Sequence, residues 1–64
     1  MPHLTPKQIE VLKHLARGLP NKQIAYEMGL SISTVKLHLN SIFIRLQAKN
    51  RVQALLRARE EHII

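Results

Sequence analysis

The stretch from Ser31 to Gln47, SISTVKLHLNSIFIRLQ, decides how the rest of the chain is read. Taken at roughly 100° per residue, it separates into two chemically distinct faces. Val35, Leu39, Ile42 and Leu46 recur at spacings of four, three and four, with Phe43 beside them. Such a row is a core-facing stripe. The opposite side carries Ser33, Lys36, Leu37 and Asn40, a surface of hydrogen-bond donors with one aliphatic among them. Ser31 is a good N-cap, and Leu30 and Val35 stand where a hydrophobic staple would close the first turn. The pattern predicts a helix over 32–47 with a polar, solvent-facing side that begins in its first two turns.

Immediately before it, Gly29-Leu30-Ser31 reads as a tight turn, because Gly29 can take a positive φ directly after a helix. Asn21 is read as the cap of a short helix over 22–28, with Ile24, Ala25 and Met28 on its inner face. Two turns are too few to be stable without tertiary packing. A short helix, a glycine turn and an amphipathic helix together form a helix-turn-helix. Ala25 is small enough for a close crossing, Gly29 makes the bend, and Val35 fills the angle. The N-terminus of the short helix offers Asn21 and Lys22 with free backbone N–H groups, a natural phosphate contact.

Two further helices flank this unit. Thr5-Pro6-Lys7-Gln8 is a dense helix start: Thr5 caps, Pro6 occupies the first position, and Gln8 can complete a capping box. Ile9, Leu12, Leu15 and Ala16 form the expected stripe of a helix over 6–17, with Val11 at its edge and Gly18 as the stop. After Leu46, Asn50 caps a last helix over 51–59, again with Gln at the third position, Gln53. Val52 and Leu55 are spaced to reach the core, and Leu56 with Arg57 and Arg59 is offset from them. That helix has more apolar surface than one core contact uses, so Val52, Leu56 and Arg59 are expected to meet a second copy. Ile63 and Ile64 read either as a frayed end or as part of a longer packed segment.

Composition narrows the class. The 64 residues suit one small domain over 1–64, near the lower limit for folding without staples, and there is no cysteine to supply them. No apolar run approaches the roughly 18 residues of a membrane span, and Met1-Pro2-His3 leads into no leader-like segment. A soluble cytoplasmic protein with no membrane partner is expected. Ten Lys and Arg against four Glu give a net charge of +6, which points to a polyanion. Between Met28 and Arg59 there is no acidic residue, while Lys36, Arg45, Lys49, Arg51 and Arg57 lie there. Tyr26 and Phe43 are the only aromatic residues, too few for stacking single-stranded bases. Duplex DNA fits better.

Leu4-Thr5-Pro6, Glu10-Val11-Leu12, Ala16-x-Gly18, Asn21-Lys22-Gln23-Ile24-Ala25, Leu30-Ser31, Thr34-Val35-Lys36-x-His38 and Asn50-Arg51 fall in order along the chain. With these segments the sequence resembles the LuxR-type DNA-binding domain, in particular the output domains of NarL/FixJ-class response regulators of two-component systems. The resemblance implies an all-α, four-helix bundle-like domain with its third helix in a DNA major groove and a dimer contact on its fourth. It implies that Lys36, Leu37 and Asn40, with Ser33 beside them, face bases, and that Asn21, Lys22 and Thr34 touch phosphates. Arg45 joins the phosphate-facing set. Three departures stand out. Lys7-Gln8 replaces a usual Arg-Glu, which removes the ion pair such a Glu would make with Arg51. Ile44 stands where a basic residue is common. Asn40 occupies a variable position, where an amide matches N6 and N7 of adenine.

Four carboxylates, no cysteine and histidines without metal spacing argue against an enzyme, and neither cofactor nor metal is expected. His14 and His38 read as surface or interhelical residues. The competing function is a helix-turn-helix that serves as a protein-interaction module contacting RNA polymerase or another regulator. Its mark would be an apolar outer face on the third helix. Leu37 is surrounded by Ser33, Lys36 and Asn40, a setting suited to a thymine methyl, so sequence-specific binding to double-stranded DNA is the favoured reading.

Overall fold

A computed structural model describes residues 3–64, so the reading of Met1-Pro2 lies outside the described residues. The described residues form four helices, α1 (Pro6–Ala16), α2 (Asn21–Met28), α3 (Ile32–Leu46) and α4 (Arg51–Glu60). The expected all-α, bundle-like architecture is what the chain adopts. Helix ends agree with the sequence reading to within one residue, the usual scatter of such boundaries.

Three of the four helix starts are closed by the residues expected to close them. The Thr5 hydroxyl accepts from the Gln8 N–H at 3.1 Å, and Gln8 Oε1 accepts from the Thr5 N–H at 2.9 Å, completing the capping box. Ser31 Oγ accepts from the Thr34 N–H at 3.1 Å. Asn50 Oδ1 accepts from the Gln53 N–H at 2.8 Å, although Gln53 reaches back past Asn50 to the Lys49 N–H. The second helix differs. Its N-cap is Pro20, in extended backbone and without a side-chain bond, so Asn21 is the first helical residue and does not cap. Its side chain is drawn elsewhere, to Arg51.

The bend between α2 and α3 depends on Gly29, whose φ is 66°. A Cβ there would meet nothing within 4 Å, so the requirement is conformational and not spatial. An L-residue held in this region costs roughly 1–2 kcal/mol. The Leu30 N–H then bonds back to the Ala25 carbonyl at 2.9 Å, which satisfies the end of α2 and aims the chain into α3.

The third helix packs against each of the other three and forms the centre of the domain. Val35, Leu39, Ile42 and Leu46 are buried as their spacing predicts, against Val11, Leu12, Leu15, Ile24 and Ala25. Five of these side chains, Leu12, Ile24, Ile42, Val11 and Val35, are completely enclosed. Each fully buried aliphatic contributes about 1.5–3 kcal/mol, and these dominate the stability of so small a domain.

Several details of the core depart from the sequence reading. On α1 the buried row is Gln8, Val11, Leu12 and Leu15, so Val11 belongs to the core and not its edge, while Ile9 and Ala16 are half-buried. The stripe is displaced because Gln8 can be buried at no cost in hydrogen bonds: its Nε2 donates to Ser41 Oγ at 2.9 Å. On α4 the buried residues are Ala54 and Ala58, and Val52 stands in solvent with 69% of its surface exposed. The helix meets α1 and α3 through these two small residues, with Leu55 packed against the core beside them. Leu55 is half-buried, and Leu56 is exposed as expected. The C-terminus does not fray. His62 takes a positive φ, the Ile63 N–H bonds to the Ala58 carbonyl at 2.8 Å, and Ile63 and Ile64 pack on the core. No helix among the described residues is long and apolar enough to cross a membrane.

Candidate nucleic-acid interface

Packing fixes the solvent face of α3. With Val35, Leu39, Ile42 and Leu46 turned inward, Ser33, Lys36, Leu37, Asn40 and Ile44 form one exposed ridge. At 1.5 Å per residue the ridge is roughly 16 Å long. Leu37 and Ile44 are 68% and 77% exposed, so the ridge alternates donors with aliphatic side chains.

The two flanks of the ridge differ. Thr34, His38, Ser41 and Arg45 follow one another on the side turned toward α1. Thr34 is half-buried, and its hydroxyl lies 2.9 Å from Ser31 Oγ. Arg45 is exposed, and its guanidinium donates to the His3 carbonyl at 2.8 Å, tying the C-terminal half of α3 to the segment before α1. His38 is half-buried on this flank. On the other flank, Lys36, Leu39, Asn40 and Phe43 line a shallow cavity of about 220 Å³ together with Asn21 and Arg51. The structure therefore brings Asn21, expected at a phosphate, beside Lys36 and Asn40, expected at bases.

The N-terminus of α2 projects next to this cavity. The Gln23 and Ile24 N–H groups bond to the Pro20 carbonyl, which leaves the Asn21 and Lys22 N–H groups with no side-chain cap. Partial positive charge collects at such an end, and anions are stabilised there. Lys22 is exposed, and with Pro20, Gln23 and exposed Tyr26 it borders a second concavity. A lone exposed ring does not make a stacking platform.

Arg51 also lines this surface, a placement the sequence reading does not give it. It is half-buried at the first position of α4; Nη1 donates to the Leu19 carbonyl at 3.3 Å, and Nη2 donates to Asn21 Oδ1. The backbones of α2 and α4 do not pack on each other, and Arg51 spans the space between them. Nothing local in the sequence marks this arrangement: Gln8 is bonded to Thr5 and Ser41, and the acceptors that Arg51 meets lie 32 and 30 positions away. Away from this surface, Val52, Leu56 and Arg59 share the outer side of α4, at spacings of four and three.

A short helix, a glycine bend and a central helix with one buried and one donor-rich face define a helix-turn-helix domain. The profile of the family described as bacterial regulatory proteins, luxR family, matches residues 2–58, and the chain belongs to that family. It is 40% identical over 60 residues to the nitrate/nitrite response regulator protein NarL of Escherichia coli K12, covering 94% of this chain and 28% of that protein. It is 47% identical over 55 residues to the glycerol metabolism activator of Pseudomonas putida, covering 86% of this chain and 25% of that protein. The crystal structure of response regulator ChrA, from a heme-sensing two-component system, superposes with a TM-score of 0.95 at 38% identity over all of this chain and 32% of that one. The chain thus spans a quarter to a third of the length of these relatives, which include response regulators.

Proposed function

We propose that this domain is the DNA-binding output domain of a cytoplasmic transcriptional regulator of the response-regulator type. The third helix enters the major groove of duplex DNA, with Ser33, Lys36, Leu37 and Asn40 against base edges. Asn21 and Lys22 meet one sugar-phosphate strand, and Thr34 and Arg45 meet the other.

The observation that carries the reading is the layout of α3: a ridge of Ser33, Lys36, Leu37 and Asn40 with polar or cationic groups on both flanks. A major groove, about 12 Å wide, admits one helix and presents phosphates on both sides of it. A ridge with donors on one flank only would suit a protein surface equally well. The outer face of α4, with Val52, Leu56 and Arg59, supports a weak homodimer that sets two such helices on two half-sites.

Exposed Leu37 and Ile44 on the same ridge keep a second reading in play, a contact with RNA polymerase or another regulator. Selection of binding sites from a pool of random duplexes separates the two. DNA binding predicts enrichment of a defined site, with adenine or thymine at the positions opposite Asn40 and Leu37. A pool that stays random at low salt overturns the reading and favours the protein-interaction module.

A further inference from the structure

We propose that Arg51 is a positioning residue for DNA binding, which locks the Asn21 carboxamide so that its NH2 group is presented as a phosphate donor. The inference rests on the DNA-binding reading above and assigns a role within that surface to a residue on a different helix.

The chemistry of the two groups sets the orientation. A guanidinium has only donors, so the atom of Asn21 that meets Arg51 Nη2 has to be the oxygen. With Oδ1 held there, the NH2 group is directed away from Arg51. Asn21 and Arg51 line the same cavity as Lys36 and Asn40, so that donor stands beside the base-facing flank of α3. An amide free to rotate would present its oxygen to a phosphate in one of its two orientations, and that orientation repels.

Arg51 can hold Asn21 in this way because it is itself held. Its second terminal nitrogen donates to the Leu19 carbonyl, in the connection just before α2. The planar fork therefore grips the backbone before the helix and the side chain of its first residue together. The only other constraint at this end of α2 would be a side-chain cap, and Pro20 supplies none.

The test is a double-mutant cycle read in duplex affinity, with Asn21→Ala, Arg51→Met and the double variant titrated against the selected site over a salt series. Circular dichroism confirms folding, and Arg51→Lys, which keeps the charge but not the fork, serves where Arg51→Met unfolds. Asn21→Ala is expected to weaken binding roughly tenfold, the scale of one hydrogen bond to a charged group. Arg51→Met is expected to weaken it several-fold in the wild-type background and not at all in the Asn21→Ala background, with the salt slope unchanged. Additive losses, or a slope flattened by about 0.9 as for a cation that itself neutralises a phosphate, overturn the inference and leave DNA binding standing. An affinity unaffected by Asn21→Ala also overturns it. Failure of the wild-type chain to bind any duplex removes the DNA-binding reading itself, and the inference falls with it.

Discussion

The side-chain amide of Gln8 on α1 donates to the hydroxyl of Ser41 on α3 at 2.9 Å, across 33 residues of sequence. The same amide accepts from the Thr5 N–H, so one buried group both caps α1 and fastens it to the central helix. Each of its two hydrogen-bonding ends has a partner, which is why a polar side chain can sit in the core row with 6% of its surface exposed.

Gln8→Ala should therefore cost about 1–3 kcal/mol, because it removes the back-bond of the capping box and leaves the Ser41 hydroxyl without its partner. Ser41→Ala should cost less, and the double variant should be less destabilised than the sum, since the two residues share one bond. Gln8→Glu should be close to neutral: a carboxylate still accepts from Thr5, and the Ser41 hydroxyl can reverse and donate. Urea titrations at constant m-value measure all four. A double variant that is simply additive would mean that the two side chains act independently.

The faces of α3 and the glycine bend are legible in the sequence because both are local. A stripe at spacings of four, three and four leaves one way to bury the helix, and Gly29 is followed within two residues by a capping serine. The errors arise where the answer is set by distant residues. Periodicity places bulky Val52 toward the core, but α4 meets α1 and α3 through Ala54 and Ala58, with Leu55 beside them. Asn21 reads as a cap because asparagine is common there, and its actual partner, Arg51, lies 30 positions away with no local trace. Val11 reads as an edge residue for a similar reason: Gln8 joins the buried row only because Ser41, 33 positions away, accepts from its amide.

Lys22 is exposed at an uncapped helix start and bonds to no other residue described here. If it neutralises a phosphate, Lys22→Ala should weaken binding to all duplex sequences alike and flatten the dependence of log affinity on log salt by about 0.9. Anisotropy titrations on a selected and a scrambled duplex measure both quantities. A loss confined to the selected duplex would place Lys22 at a base instead.

Lys36 and Asn40 are one turn apart on the exposed ridge, with Leu37 beside them, and none of the three is buried. Lys36→Ala and Asn40→Ala should each relax base preference by roughly 1–3 kcal/mol of discrimination. Helical circular dichroism should be unchanged, because the core stripe is intact. Repeating the site selection with each variant reads the effect position by position, and profiles identical to wild type would favour the protein-interaction module.

The outer face of α4 bears on assembly. Val52 and Leu56 are 69% and 55% exposed, one turn apart, and Arg59 continues the same side. The inner side is already occupied by Ala54 and Ala58, so these residues are free to meet a second copy. Two-fold pairing through α4 would set two copies of α3 on half-sites about 34 Å apart, one turn of DNA. So short a helix buries little area, which places the dimer among weak associations that form mainly on DNA. Sedimentation should show a monomer–dimer equilibrium, and binding to paired half-sites should be cooperative. Leu56→Glu should abolish that cooperativity and leave affinity for a single half-site nearly intact, since a carboxylate at this position faces solvent in the monomer. Its thermal stability should stay within about 0.5 kcal/mol of wild type, as for other exposed substitutions. Cooperativity that survives both Leu56→Glu and Val52→Glu would move the dimer contact away from α4.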